Sequence, residues 1–182
     1  PSASFDYPTG ITRDGTNLYV ADTDNNRIRK IEIATGVVTT FAGSGDQGSA
    51  DGTGTSASFK TLQGITTDGT NLYVGDTQNH KIRKIVIATG EVTTLAGSGT
   101  VGSADGTGIA ASFNITKGII SDGTNLYVAD SENNKIRKLS SRKTETADIS
   151  LHNLDDDTDV KVAVSSSNTG EATVNPAELT FT

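Results

Sequence analysis

The sequence contains no cysteine, methionine or tryptophan, and histidine occurs only at His80 and His152. Without cysteine the chain forms no disulfide, has no thiolate nucleophile and offers no sulfur ligand to a metal. Two histidines do not assemble a histidine-rich zinc site. No apolar stretch approaches the roughly 18 residues of a membrane-spanning helix. We therefore expect no membrane span and no cofactor, with calcium the one possible exception.

The sequence does contain a repeat whose copies start 54 residues apart, at residues 10–31, 64–85 and 118–139. Between residues 10–45 and 64–99, 28 of 36 positions are identical, and between the first and third copies 16 of 22. Self-similarity at a fixed period is typical of repeat architectures, in which each unit buries its apolar face against a neighbour.

Each copy predicts strands and turns. The run Asn-Leu-Tyr-Val-Ala at 17–21 is typical of a buried strand, and Asp14-Gly15 before it predicts a tight hairpin. Residues 27–33 and 37–42 predict two further strands around Thr35-Gly36. Four short antiparallel strands followed by a long polar connection form one propeller blade. We therefore predict an all-β fold with four-stranded blades at 10–42, 64–96 and 118–139.

The repeat contains Asn-Leu-Tyr-Val-Ala-Asp or its close variants, followed in the second copy by Asn79-His80-Lys-Ile-Arg-Lys, and the connections contain Gly-Ser-Ala-Asp-Gly-Thr-Gly at 48–54 and 102–108. In these motifs the chain resembles the NHL repeat, which is named for its Asn-His-Leu run. The resemblance covers residues 3–140 and implies a β-propeller, commonly six-bladed. The first and third copies have Asn26 and Asn134 in place of the histidine. The resemblance implies no activity, because NHL propellers serve as binding platforms, sensors and occasionally enzymes.

The third copy loses its fourth strand, and the composition changes beyond it. Residues 144–182 hold 8 acids and one base, and so account for the whole formal charge of −7. We interpret residues 141–147 as a linker and 148–182 as part of a β-sandwich that resembles Calx-β and bacterial immunoglobulin-like modules. A cluster of four aspartates there is a candidate calcium site, with a solvated acidic loop as the alternative: Asp155, Asp156, Asp157 and Asp159.

Blade geometry predicts that the turns between second and third strands share one face with the long connections. That face collects eight acidic candidate binding residues: Asp22, Asp24, Asp46, Asp51, Asp76, Asp105, Asp130 and Glu132. Asp22, Asp76 and Asp130 recur in every copy, so we favour a structural role for them, as acceptors of backbone N–H groups in their own turns. Nine of the bases recur on the third strands, where we expect them to lie toward the blade rims, cover apolar surface and pair with neighbouring carboxylates. A channel ligand would contact three first-strand residues: Arg13, Thr67 and Ser121.

We interpret the chain as part of a large secreted or surface-displayed bacterial protein, located outside the cell. Its expected role is structural or adhesive, presenting an acidic, glycine-rich face to a protein or glycan partner or building an extracellular assembly. We expect no enzymatic activity and no nucleic-acid binding. A propeller lyase or hydrolase with its catalytic residues on other blades, and an RNA-binding propeller, are the alternatives. Three blades are too few to close a ring, so we expect further blades in the same polypeptide or self-association.

Overall fold

A computed structural model describes residues 3–140. Two full blades and three strands of another follow one another along the chain. The first blade contains β1 (Pro8–Arg13), β2 (Asn17–Asp22), β3 (Arg27–Glu32) and β4 (Val38–Ala42). After β5 (Gly52–Thr53), the second contains β6 (Leu62–Thr67), β7 (Asn71–Asp76), β8 (Lys81–Val86) and β9 (Glu91–Ala96). The third contains β10 (Thr116–Ser121), β11 (Asn125–Asp130) and β12 (Lys135–Ser140).

Each sheet is antiparallel throughout, and β1 to β4, β6 to β9 and β10 to β12 follow one another in chain order within their sheets. Within the described residues the only helical segments are 3-10 turns of three residues: Gly54–Ser56, Thr77–Asn79, Gly108–Ala110 and Ser131–Asn133. The predicted all-β propeller fold is therefore confirmed. The proposed sandwich at 148–182 and the linker at 141–147 lie outside the described residues, and the domain boundaries stay a prediction.

The second sheet differs from the predicted four strands because the connection from the first blade adds a fifth. β5 pairs antiparallel with β9, with Gly52 opposite Val92, and so lies at the outer rim of the second blade. The preceding blade thus supplies backbone partners to an edge that would otherwise be open.

The first strands of successive blades lie side by side, β1 against β6 and β6 against β10. This close approach requires glycine. A β-carbon at Gly10 would lie 2.3 Å from the carbonyl oxygen of Gln63, and one at Gly64 would lie 2.4 Å from that of Lys117. Real β-carbons do not approach so closely, so the glycines at positions 10 and 64 have a packing cause.

The core lies between blades. Ile28 of the first blade is fully buried in a cluster with Phe59 and Leu72 of the second, and Ile82 is buried with Phe113 and Val128 of the third. The second blade thus buries one face against the first blade and the other against the third, as expected for a stacked repeat.

Candidate functional site

The turns after β2, β7 and β11 do lie beside the long connections. The side-chain amide of Asn79 donates to the carbonyl of Gly48 at 2.7 Å, and that of Asn133 donates to the carbonyl of Gly102 at 2.7 Å. In the first blade, Gly43 lies against the carbonyl of Asn26. We call the surface formed by these turns and connections the loop face.

The aspartates that recur at the start of these turns are buried rather than presented to solvent. Asp76 is 0% exposed. Its Oδ1 accepts the backbone N–H of Lys60 at 2.8 Å, and its Oδ2 accepts from Asn79 at 2.9 Å and from Arg83 at 2.8 Å. Asp22 and Asp130 are also 0% exposed and have equivalent partners.

These contacts place three candidate binding residues, Asp22, Asp76 and Asp130, inside the blades, where a partner does not reach their side chains. We expected each aspartate to accept backbone N–H groups from its own turn. The structure shows instead that the backbone donor lies sixteen residues earlier in the chain. The carboxylate therefore ties the start of each blade to its second strand.

An arginine on the third strand completes each of these clusters. The side chain of Arg83 is 0% exposed and forms ion pairs with Asp76 at 2.8 Å and with Asp51 at 2.7 Å. It also donates to the carbonyls of Ser58 and Ala50. These interactions fix the connection to the second blade in place.

The same arrangement recurs in the third blade, where Arg137 pairs with both Asp130 and Asp105. In the first blade Arg29 pairs with Asp22 at 3.0 Å. Each guanidinium lies over a phenylalanine ring, at 5.1 Å for Arg83 over Phe59, a cation–π contact. The other two pairs are Arg29 over Phe5 and Arg137 over Phe113.

The expected pairing of third-strand bases with carboxylates is confirmed for these arginines, but their expected position toward the rim is wrong, because their side chains are at most 11% exposed. In the sequence they stand among other bases, such as Arg27 and Lys30, and appear solvent-facing. The signal that distinguishes them is the spacing Asp-x6-Arg, which places both side chains on the same face of adjacent strands. In the register, Arg83 lies opposite Val74, two residues before Asp76.

The loop face is consequently of mixed charge and not simply acidic. Asp51 is paired with Arg83 and Asp105 with Arg137. Partial burial acts to raise the pKa of Asp51, but hydrogen bonds from the backbone of Thr94 and from Arg83 outweigh it and hold that pKa below its ordinary value.

Within residues 3–140, three of the candidates are exposed and have no ion pair, namely Asp24, Asp46 and Glu132. Basic side chains contact the same connections, with Arg27 donating to the carbonyl of Ser44 at 3.0 Å. A partner would thus meet carboxylates and bases together on this surface.

The exposed turn tips differ between blades where the buried positions do not. Asp24, Gln78 and Glu132 occupy equivalent sites, and all three are exposed. Asp22, Asp76 and Asp130, two residues earlier, are identical and buried. The buried residues that fix these turns are thus identical in the three blades, whereas the exposed residues at the tips of the turns vary.

His80 occupies the turn position that Asn26 occupies in the first blade. Both have left-handed backbone conformations, with φ of 53° and 50°. Asn26 accepts the backbone N–H of Thr61 at 2.9 Å and so joins two blades. The side chain of His80 makes no equivalent bond within residues 3–140, where its buried Nδ1 has no hydrogen-bond partner, so its structural role stays a prediction.

The proposed channel residues are the last residues of the first strands. The hydroxyl of Thr67 donates to the carbonyl of Asn71 at 2.8 Å, and that of Ser121 accepts the backbone N–H of Gly123 at 3.0 Å. Both hydroxyls thus serve their own hairpins, while Arg13 is exposed. A role in binding for these three stays a prediction.

The opposite face contains a second repeated cluster, which sequence reasoning missed. Asp14 accepts the backbone N–H groups of Thr16 and Asn17 and the hydroxyl of Tyr19. Partial burial would raise its pKa, but these hydrogen bonds lower the pKa of Asp14 to about 2. Burial and the hydrogen bond to Asp14 raise the pKa of Tyr19 to about 12. The signal in the sequence is Asp-Gly-Thr-Asn-Leu-Tyr, present in all three copies.

The candidate calcium ligands Asp155, Asp156, Asp157 and Asp159 lie outside the described residues. Among residues 3–140, no group of three or more histidine, cysteine, aspartate or glutamate side chains is placed to hold a metal ion. Calcium binding stays a prediction. In the same part of the chain, no helix is long and apolar enough to cross a membrane.

Comparison with known proteins agrees with this architecture. Residues 5–31 match the NHL repeat. The chain is 33% identical over 162 residues to Protein SUPPRESSOR OF QUENCHING 1, chloroplastic, of Arabidopsis thaliana, covering 81% of this chain and 15% of that protein. It is 32% identical over 154 residues to NHL repeat-containing protein 2 of Bos taurus, covering 75% of this chain and 21% of that protein. The chain thus spans about a fifth or less of these relatives.

Two solved structures from Bacteroides thetaiotaomicron are similar, each at 28% identity. One is a structural genomics protein of unknown function, with a TM-score of 0.69, covering 77% of this chain and 37% of that one. The other is an auxiliary nutrient binding protein, with a TM-score of 0.62, covering 70% and 36%. None of these four descriptions names a reaction. The described blades are therefore β-propeller blades with NHL-type repeats.

Proposed function

We propose that this chain is a non-catalytic binding module whose loop face contacts a protein partner. The observation that carries the proposal is the contrast between a rigid frame and variable tips. Arg83 and Arg137 hold the connections against buried aspartates, and the tips at Asp24 and Glu132 project beyond that frame. Loops positioned by a rigid scaffold are where binding residues concentrate.

The charge pattern supports a partner with basic groups at its surface. The carboxylates of Asp24, Asp46 and Glu132 are exposed and form no ion pair with any residue that the structure describes. Complementary charges across an interface increase the association rate and the specificity. Arg27 and Lys81 bind residues of the same connections, so the surface carries charges of both signs, which suits a protein better than a uniformly charged polymer.

The similarity to an auxiliary nutrient binding protein supports binding as the general role, at 28% identity. It does not separate a protein from a glycan ligand, and a fold alone implies no function. An adhesive role at a bacterial surface, an extracellular location and the absence of nucleic-acid binding belong to the same proposal.

The test is a selection of binding peptides from a displayed random library on the full chain, followed by affinity measurements on two variants. The loop-face variant is Asp24→Lys/Asp46→Lys/Glu132→Lys. The control is Glu91→Lys, an exposed acidic residue at the start of β9. We expect selected peptides to bind the loop-face variant at least about tenfold more weakly, which corresponds to 1.4 kcal/mol.

The control variant should bind the same peptides as the wild type does. Equal affinity of the peptides for the loop-face variant and for the wild type would contradict the proposal. Tight, salt-dependent binding of a single-stranded RNA homopolymer to the wild type would favour the RNA-binding alternative instead.

A further inference from the structure

Each blade has two faces, and the structure shows what covers them at two junctions. We call the face that packs against the following blade the outgoing face and the opposite one the incoming face. Ile28 and Ile82 lie on outgoing faces and are 0% exposed, because the next blade covers them. Ile65 lies on the incoming face of the second blade and is 6% exposed.

The equivalent residues at the two ends of the arc are uncovered. Ile136, on the outgoing face of the third blade, is 73% exposed, and Ile120 on the same face is 64% exposed. Ile11, on the incoming face of the first blade, is 61% exposed. It lines an apolar groove of about 310 Å³ together with Phe5, Pro8 and Ile31. Large apolar side chains exposed together on such faces are typical of interaction surfaces.

Hydroxyl groups on the outgoing faces form hydrogen bonds to the first strand of the following blade, and the third blade has such a hydroxyl without a following blade in the described residues. The hydroxyls of Thr23 and Thr77 each donate at 2.7 Å to a carbonyl of the next first strand, at Leu62 and Thr116. Ser131 is the third residue of this series, and its hydroxyl has no hydrogen bond within residues 3–140.

The glycines of the first strands show the same series. Gly10 and Gly64 each lie against a carbonyl of the next blade, whereas a β-carbon at Gly118 would meet no atom closer than 3.6 Å. The space in front of Gly118 is thus open in the described chain.

We propose that the outgoing face of the third blade binds the incoming face of the first blade of a second copy of this chain. The chain itself contains both halves of the junction, because each open face has the residue pattern of a face that already packs inside the molecule. By the 54-residue equivalence, the hydroxyl of Ser131 donates to the carbonyl of Pro8, and Gly118 lies beside the carbonyl of Thr9.

Such a contact joins two different surfaces and is therefore heterologous. Heterologous contacts form a closed ring when the rotations that relate successive copies add up to a full turn. A copy docked in this way continues the arc, and its own outgoing face meets the incoming face of the first copy. Two arcs of three blades make a ring of six, within the range of four to eight blades for propellers. This proposal is independent of the loop face and of the partner proposed for it.

The test measures the mass of the full chain in solution by sedimentation equilibrium. The expected species is a dimer of the 18.8 kDa chain. Ile136→Glu places a carboxylate on the outgoing face and Ile11→Glu on the incoming face. We expect each variant to associate about 100-fold more weakly, because a buried unpaired charge is costly. Ile109→Glu is the matched control, since Ile109 is 70% exposed on a connection, and should dimerise as the wild type does.

Mixing the two weakened variants separates a heterologous contact from a symmetric one. An Ile136→Glu chain keeps an intact incoming face and an Ile11→Glu chain an intact outgoing face, so the mixture should form a heterodimer through one wild-type junction. A wild-type monomer at all concentrations would overturn the proposal. A species larger than the dimer, a dimer insensitive to Ile136→Glu, or a mixture that stays monomeric would also overturn it.

Discussion

Replacing Arg83 by methionine tests whether the buried arginine clusters hold the blades together. The substitution keeps much of the apolar stem but leaves the carboxylate of Asp76 buried without its cation, 0% exposed and formerly 2.8 Å from Arg83. Breaking a buried ion pair costs about 3–5 kcal/mol of the free energy of unfolding. Against a total of roughly 5–15 kcal/mol for a typical domain, this loss should be plain in urea denaturation at pH 7.

Arg29→Met in the first blade is the matched control. Arg29 pairs with Asp22 and the carbonyl of Ser4 but makes no hydrogen bond to a long connection within the described residues. Arg83 additionally bonds Ala50 and Asp51, and each such bond is worth about 0.5–1.5 kcal/mol. Arg83→Met should therefore be the more destabilising change, and it alone should speed proteolysis within residues 46–53. A cost below about 1 kcal/mol, or equal costs for both variants, would refute the reasoning.

Three further predictions concern the hairpins and the first strands. Hydrogen bonds outweigh partial burial and hold the pKa of Asp68 below its ordinary value of 3.8. The ionised carboxylate therefore stabilises the fold fully above about pH 3.8, and this contribution is lost as the pH falls through the folded-state pKa. The difference in urea midpoint between the wild type and Asp68→Asn should accordingly shrink in acid. A constant difference from pH 7 to pH 2 would contradict this. Gly64→Ala should lower the free energy of unfolding by about 1–3 kcal/mol because its β-carbon would meet the carbonyl oxygen of Lys117; an unchanged thermal stability would be the contrary result. Tyr73→Phe loses the 2.8 Å hydrogen bond to Asp68 and should cost about 0.5–1.5 kcal/mol in urea denaturation, against no change if that bond contributes nothing.

The fold was predictable because strand and turn signals repeat in register. The apolar run within Asn17–Asp22, the Asp14-Gly15 hairpin and the 54-residue period all indicate the same blade. The fifth strand was not predictable, because Gly52–Thr53 is only two residues long and lies in a glycine-rich connection without a strand pattern. They pair with β9 only because the connection passes over the next blade.

The candidate site was predicted less well. The loops were correctly expected to lie together, but burial could not be inferred from residue type alone. Asp76 and Asp24 appear equivalent in a sequence, while one is enclosed by Lys60, Asn79 and Arg83 and the other is exposed. Contacts between residues of adjacent repeats, such as Asp51 with Arg83, determine this difference, and the pattern within one repeat contains no sign of them.

The connection between the first two blades has a consequence for how the chain can be divided. Residues 43–58 follow the first blade in sequence but complete the second, through β5 on β9 and Asp51 on Arg83. A cut at the repeat boundary before Gly64 removes a rim strand and leaves a buried guanidinium short of acceptors, whereas a cut after Ala42 keeps both. Each connection thus belongs in sequence to one blade and in structure to the next. Excision, permutation or duplication of a blade should thus succeed only when the overlapping segment moves with the blade that it covers.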